Sequence, residues 1–267
     1  MSVNIRIVSD RPALAMVHSR RRYLIVTDLH IGYEEELFRM GIRVPYQAPR
    51  IAASIREIID EVGAQYLVLL GDVKHRVAGT SWRESRQVRD FVQRVREGVD
   101  EVIIVPGNHD AGIYSLVGDL ASVVSSRGFG LGEVWLLHGH TWPQPQSLEK
   151  KIILIGHTHP TISLEDEGSK LRRRVFLKLR TEKRRLAEKL RERPGYAPLV
   201  SLDGLSGDIK LIILPHFNDA LSGLSVSGLS GTRGISPLLR SGAFDPLSAE
   251  ATLMDGTQIG TIRSITK

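Results

Sequence analysis

Five apolar runs in this chain each break off into a cluster of residues that bind metals or handle phosphate, and this repeated pairing limits the fold more than any other feature. Tyr23–Val26 leads into Thr27-Asp28-Leu29-His30, Leu67–Leu70 into Gly71-Asp72-Val73-Lys74-His75, and Val102–Val105 into Pro106-Gly107-Asn108-His109-Asp110. Val134–Leu137 leads into His138-Gly139-His140, and Ile152–Ile155 into Gly156-His157-Thr158-His159. Short apolar runs of this kind read as buried strands. Strands that end on one edge of a sheet bring sequence-distant side chains together, as ligands in open α/β sheets require. The chain therefore reads as an enzyme with a metal centre.

Between these runs the apolar period changes to that of a helix. Ile51, Ile55, Ile58, Ile59 and Val62 mark an amphipathic helix from about Pro49 to Val62. A second helix opens at Ser81 with Glu84 three residues later, continues through Val88, Phe91, Val92 and Val95, and closes at Gly98. With an opening hairpin (Val3–Val8, Leu14–Val17), the first half predicts α/β layers. After His138 short β patterns dominate: Arg174–Lys178, Lys210–Leu214, Ala251–Met254 and Gln258–Ile262, the last two joined by the turn pair Asp255-Gly256. This half reads as a largely antiparallel sheet packed on the first. At 267 residues and 42% hydrophobic content, one domain over residues 1–267 is expected.

Two stretches stand apart. The segment from Lys170 to Arg193 carries twelve Lys or Arg against three Glu, a net of +9 in a chain of net +6, so the remainder is at −3. Its leucines at Leu179, Leu186 and Leu190 form a narrow stripe, which predicts a protruding helix or helical hairpin arm able to contact nucleic-acid phosphates. Ser222–Gly234 is rich in Ser and Gly and reads as a loop. Trp82, Trp135 and Trp142 are read as packing residues, and the isolated His18 and His216 as structural or solvated.

The chain has no cysteine, which excludes disulfides and thiolate metal sites and leaves imidazole, carboxylate, amide and water as ligands. No apolar run is long enough to cross a bilayer, and no secretory leader is evident, so a cytoplasmic protein without a membrane partner is expected. A two-metal hydrolase needs a carboxylate to bridge the ions through its two oxygens, further ligands on each ion, and an open face for phosphate and water. Asp28, His30, Asp72, Asn108, His138, His157 and His159 supply two carboxylates, one amide and four imidazoles. That set suits Mn²⁺, Fe²⁺ or Zn²⁺ and is poor for Ca²⁺. Attack by a metal-activated hydroxide needs no protein nucleophile.

Asp28-x-His30, Gly71-Asp72, Gly107-Asn108-His109-Asp110, His138 and Gly156-His157-x-His159 together resemble the signature of the calcineurin-like metallophosphoesterases, over about residues 23–160. Thr27–Glu34, Gly71–His75, Gly156–Pro160, Leu214–Asn218 and Leu253–Thr257 are most similar to the archaeal SbcD-related group of that superfamily. The resemblance implies an α/β fold, a four-layer α/β/β/α sandwich of two mixed β-sheets flanked by helices. It implies two divalent metal ions, Mn²⁺ favoured, one held by Asp28, His30 and His159, the other by Asn108, His138 and His157, with Asp72 bridging. His140 is then a neighbour rather than a ligand. His109 is implied to stabilise transition-state charge or protonate the leaving group, with Asp110 placed to orient it. Asn108, His109 and His75 are candidate substrate contacts, as is Lys74. In the protein-phosphatase members an Asp stands where this chain has His75, so protein-phosphatase activity is disfavoured. The leading reading is a phosphodiesterase, a nuclease or nucleotide phosphodiesterase in DNA maintenance. The alternatives are a phosphomonoesterase for a small metabolite and a nucleic-acid-binding scaffold with a vestigial metal site.

Overall fold

The computed structural model describes residues 3–166, 169–228 and 236–265. Its first half runs β1 (Asn4–Ile7), β2 (Leu14–His18), β3 (Arg21–Val26), α1 (Tyr33–Arg39), α2 (Ala48–Val62), β4 (Tyr66–Leu69), α3 (Trp82–Arg96), β5 (Glu101–Ile104), α4 (Ile113–Val117) and β6 (Ser122–Val123). These strands form one six-stranded sheet in chain order. The opening hairpin and β3 pair antiparallel, and β3 to β6 pair parallel, with α2 and α3 as crossovers. Helix α2 carries Pro49 in its first turn, where an N–H has no helical partner, and stops at Gly63 in the left-handed conformation (φ 60). At α3 the Ser81 Oγ accepts from the Glu84 N–H at 3.0 Å, the cap that the sequence predicts.

The second half runs β7 (Phe129–Leu131), β8 (Val134–Leu136), β9 (Ile152–Ile155), β10 (Pro160–Asp166), β11 (Ser169–Glu182), α5 (Lys183–Arg191), β12 (Asp208–Ile213), β13 (Leu224–Ser225), α6 (Pro237–Arg240), β14 (Glu250–Leu253), β15 (Gln258–Thr261) and α7 (Ile262–Ile265). The main path of this sheet is β13-β10-β11-β12-β9-β8-β7, with β14 and β15 added on β11. Most of its pairings are antiparallel, as expected, but the sheet is mixed: β9 lies between β8 and β12 and is parallel to both, and β13 is parallel to β10. Residues 137–151 between β8 and β9 are long enough for the crossover that parallel neighbours demand.

The two sheets face each other over a core that includes Met16, Ile25, Val68 and Val105 from the first and Val134, Leu136, Leu154 and Phe176 from the second. The outer face of the first sheet packs on α2, α3 and α4 through residues such as Leu24, Ile55, Val92 and Val117. The outer face of the second packs on α5, α6 and α7 through Ile153, Leu186, Leu239 and Ile262. The four layers are therefore helix, sheet, sheet, helix.

The basic segment does not form a projecting arm. Its first part is β11, inside the sheet, and its second is α5, whose Leu186, Ala187 and Leu190 are completely buried. The expected stripe is divided between two elements: Leu179 is buried in β11, while Leu186 and Leu190 lie on the face that α5 turns to the core. Several of its cations have internal partners: Arg174 donates to the His216 and Phe217 carbonyls, Lys178 pairs with Glu250, and the Arg193 guanidinium lies 5.1 Å from the Trp142 ring centre. The Ser/Gly-rich stretch begins as β13, paired to β10; its residues from 229 onward lie outside the described residues. Among the described residues no helix is long and apolar enough to cross a membrane. Removing the buried side chain of Leu190 by Leu190→Ala is expected to lower stability by about 2–5 kcal/mol, measured by urea unfolding, whereas a solvated arm would tolerate the change.

Candidate metal centre

Strand register brings the five clusters to one level. Val26 pairs with Leu69 and Leu69 with Ile104, so the chain leaves β3, β4 and β5 at the same height. In the other sheet Leu136 pairs with Leu154, and Ile155 with Ile213. The clusters thus divide between two sheets, three on the first and two on the second, and converge where the strand ends of both meet. Main-chain bonds then tie the loops together: Asp28 N to Gly71 O (3.1 Å), His30 N to Asp72 O (2.9 Å) and Gly156 N to His138 O (2.9 Å).

The loops are held in conformations that L-residues rarely adopt. Asp28, His30, Asp72, His157 and His159 all have positive φ, between 45 and 67°. Such backbone costs energy and persists where surrounding contacts over-determine it, commonly at functional sites. Two glycines are demanded by space alone. A Cβ on Gly107 would lie 2.1 Å from Asp72 Oδ1, and one on Gly156 would lie 2.0 Å from Thr27 Oγ1.

The carboxylates and imidazoles form two groups that share Asp72. Ligand atoms of Asp28, His30, Asp72 and His159 lie within 4.8 Å of one another, as do those of Asp72, His138 and His157. Asp72 Oδ1 accepts the His109 N–H at 2.9 Å, which leaves Oδ2 facing His138 Nε2 at 3.2 Å and His30 Nε2 at 3.5 Å. A shared ligand therefore presents one oxygen to both groups, not one to each. Asp28 Oδ2 is likewise occupied, by the Thr27 hydroxyl (2.9 Å) and the His157 N–H (3.1 Å), while its Oδ1 lies 3.0 Å from His159 Nε2. Buried Asp28 Oδ1, His30 Nε2, Asn108 Oδ1, His138 Nε2 and His159 Nε2 all lack a hydrogen-bond partner. Buried polar atoms are normally satisfied, and these orphaned oxygen and nitrogen donors fit divalent cations.

Electrostatics fits the same use at His30, His157 and the two carboxylates. Burial pushes the His30 and His157 imidazoles down, to about 3 and about 4, so both are neutral near neutral pH and carry a free lone pair. Burial would raise both Asp28 and Asp72, but the surrounding imidazoles, His159 and His138 first, hold them well below the usual carboxylate range. Burial lowers His138 as well, yet Asp72 and Asp28 outweigh it and draw the group up to about 10. The His138 Nδ1–H donates to the Leu70 carbonyl at 2.8 Å, which turns Nε2 to the carboxylates.

A relay supports His30. His75 Nε2 is 2.7 Å from the Glu36 carboxylate, and its Nδ1 is 3.2 Å from His30 Nδ1. With Nε2–H donating to Glu36, the His75 Nδ1 accepts from His30 Nδ1–H and leaves His30 Nε2 bare. His30, His75 and His109 also form a third close grouping, but these hydrogen bonds commit both ring nitrogens of His75.

Two expected roles are not met. Asp110 does not orient His109; it is buried, accepting from Lys74 N (3.1 Å) and Gly107 N (2.8 Å), and so staples the loops after β4 and β5. The His109 Nδ1–H is instead held by the carbonyl of His75, and Nε2 points toward Asp72 Oδ2 at 3.9 Å. Lys74 cannot reach substrate either: it is completely buried, with Nζ donating to the Arg76 and Gly79 carbonyls. His140 stands beside the second group, its ring centre 5.4 Å from that of His138.

Sequence reasoning missed several supports. Glu84 turns away from its own helix cap, and its Oε1 accepts from His75 N (3.1 Å) and Arg76 N (2.8 Å), fixing the loop that holds His109. Asn218 Nδ2 donates to the Leu29 carbonyl at 2.9 Å, and Phe217 N to Thr27 O at 2.9 Å, so the segment after β12 clamps the first cluster. His216 is buried beside His159, with ring centres 5.2 Å apart. Leu214-Pro215-His216-Phe217-Asn218 follows an apolar run as the other clusters do, a signal that, with the motif resemblance over the same residues, pointed there.

A family model for calcineurin-like phosphoesterase matches residues 21–188. The chain belongs to that family. This calcineurin-like phosphoesterase is accordingly a metal-dependent hydrolase of phosphate esters. Among solved structures it is similar to nuclease MPE of Pseudomonas putida, at 20% identity over 94% of this chain and 98% of that one, with a TM-score of 0.55, which shows a common fold. The phosphoesterase Yfce of E. coli aligns over 55% of this chain and 75% of its own at 19% identity (TM-score 0.32). A double mutant of Vps29 from Entamoeba histolytica aligns over 56% and 71% at 17% identity (TM-score 0.27). Among curated proteins nothing matches the chain.

Because Glu36 sets the tautomer of His75 and through it that of His30, Glu36→Ala is expected to weaken Mn²⁺ binding by roughly 10–100-fold. Calorimetric titration of the metal-stripped protein measures this; unchanged affinity would show that His30 needs no relay.

Proposed function

We propose that this phosphoesterase cleaves phosphodiesters, as a nuclease or nucleotide phosphodiesterase in DNA maintenance, using a pair of divalent cations for which Mn²⁺ is the favoured identity. In this reading Asp28, His30 and His159 would hold one cation and Asn108, His138 and His157 the other, and Asp72 would serve both. The observation that carries the reading is the single carboxylate oxygen Asp72 Oδ2, facing imidazoles of two ligand groups, with Asp28 Oδ1, Asn108 Oδ1 and His159 Nε2 buried without partners around it. The nuclease fold shared along nearly the whole chain favours the diester over the monoester. So do the Thr27–Glu34, Gly71–His75 and Gly156–Pro160 motifs, which are similar to those of SbcD-related phosphoesterases.

A bound cation pair supplies activation of water and charge neutralisation on phosphate oxygens. The chain's residues do the rest. Asn108 and His109 are only partly buried and would meet the phosphate of the substrate. His109, its Nδ1–H fixed on the His75 carbonyl and its Nε2 3.9 Å from Asp72 Oδ2, would deliver a proton to the leaving oxygen. A carbonyl in place of a carboxylate orients this ring without adding a second negative charge beside Asp72. His75 acts on substrate only through His109 and His30, since its ring is occupied by Glu36.

Hydrolysis of bis-p-nitrophenyl phosphate should exceed that of p-nitrophenyl phosphate with Mn²⁺ and stop on chelation; preference for the monoester would favour a metabolite phosphatase, and no turnover with any metal a scaffold. His109→Ala should cut turnover by about 10²–10⁴-fold while keeping the metal content of the unaltered protein. Loss of an ion in that variant, seen by elemental analysis, would contradict the proton-donor role.

A further inference from the structure

Phe176, the one aromatic in the basic 170–193 segment, is buried in the core between the sheets, so that segment offers no face on which a base could stack. Aromatic surface stands instead on another flank of the metal centre. Six of the ten exposed large apolar side chains among the described residues lie on two short stretches, 38–46 and 77–82. Trp82, read from the sequence as a packing residue, is 76% exposed; Phe38 is 61% and Tyr46 51% exposed. Each carries an arginine over its ring: Arg43 at 5.8 Å from Phe38, Arg83 at 5.9 Å from Tyr46 and Arg86 at 5.7 Å from Trp82.

This surface is continuous with the centre. The first turn of α1 borders His75, through Glu36 and through the Tyr33 ring at 4.9 Å. Its last turn carries Phe38 and Arg39. At about 1.5 Å per helical residue, Phe38 lies about 7.5 Å along the axis from Tyr33, or about two stacked bases. Glu35 meets Ser81 at 3.4 Å, joining α1 to the stretch before Trp82. Between them lies a recess of about 580 Å³ lined by Glu34, Phe38, Arg39, Tyr46 and Arg83 among others, within the size range of small-ligand pockets. A second recess of about 340 Å³ continues past Tyr46 and Arg83 to Trp82 and Arg86. Glu34 is 5% exposed, and neither of its oxygens meets a donor at hydrogen-bond geometry, although the Gln87 side chain and the Gln47 main chain stand near. It offers an acceptor that the amino or imino group of a base can satisfy. Of the other acidic groups on α1, Glu36 is turned to His75 and Glu35 to Ser81.

We propose that this flank, with Phe38, Tyr46 and Trp82 interleaved by Arg39, Arg43, Arg83 and Arg86, binds the unpaired bases of a single-stranded nucleic acid and feeds its phosphodiester to His109. The proposal rests on the phosphodiesterase reading above. Aromatic faces accept any base and arginines track the phosphates, which is the chemistry of single-strand binding, whereas a duplex hides the base faces that these rings would stack on. Phosphate contact adds affinity that falls with salt.

The test is the double variant Phe38→Ala/Trp82→Ala, which removes two exposed side chains and no core. Binding of a fluorescein-labelled single-stranded oligonucleotide of mixed sequence, and of its duplex, is measured by anisotropy in EDTA, where no cleavage occurs. Single-strand affinity should fall roughly tenfold or more, with duplex affinity less affected. With Mn²⁺, turnover of the strand relative to bis-p-nitrophenyl phosphate should fall to a similar degree. Single-strand affinity within about twofold of the unaltered protein, or an equal loss for duplex, would overturn the proposal. Loss of self-association in sedimentation velocity with strand affinity retained would overturn it too, assigning the face to a second copy of the chain. If the unaltered protein hydrolyses the small diester yet binds no strand, the surface is refuted and the phosphodiesterase reading stands. If the variant loses strand binding while no diester is turned over with any metal, the surface stands and that reading fails.

Discussion

The structure depends on the ability of several ligand loops to approach one another more closely than ordinary side chains permit. Asp72 is the point of closest approach. One of its oxygens is taken by the main chain of the β5 loop, and the other faces imidazoles from each sheet. That arrangement leaves no volume for a Cβ at Gly107, and the Asp28 cluster imposes the same limit at Gly156. It also forces five of the site residues to positive φ. Strain of this sort needs a rigid frame. The frame is the level register of β3, β4 and β5 in one sheet and of β8, β9 and β12 in the other.

Much of this was legible in the sequence because strand periodicity and ligand chemistry point the same way. Each apolar run ends within a few residues of its cluster, so a correct strand implies a correct position for Asp28, Asp72, Asn108, His138 and His157. The helices α2 and α3 were legible for an equally local reason, the spacing of Ile51 to Ile59 and the Ser81 cap. The rest depends on tertiary contact. A charged stretch with three leucines has the same pattern on a free arm and on a strand and helix packed to the core, and only the neighbours of Leu179, Leu186 and Leu190 decide. Asp110 follows His109 in sequence but turns to the main chain of Lys74, and the Glu84 carboxylate leaves its cap to hold His75 and Arg76. A sequence gives the donors; it does not give their direction. Trp82 shows the converse, since large aromatics are usually buried and nothing local marks this one as exposed.

The site is also larger than the stretch that marks the family. Residues 21–188 match the family model, yet Phe217 and Asn218 clamp the first cluster and His216 walls His159. Arg174, in the strand β11, braces the same segment through two carbonyls. A cation counted with the basic segment thus works as a structural tie between β11 and the rim of the centre. The positive charge that remains beside exposed aromatic faces is carried by arginines of α1, α3 and the loop between α1 and α2.

Neither sheet by itself holds the complete set of proposed ligands. Asp28, His30, Asp72 and Asn108 come from one, and His138, His157 and His159 from the other, so the pocket exists only once the halves have docked. With those ligands, cation occupancy would report assembly of the entire sandwich, not the formation of either half, and every ion captured there would act as a reversible rivet across the seam. By mass action such a rivet favours the closed form in proportion to the logarithm of free metal. The molecule's resistance to unfolding is in this sense set partly by its surroundings.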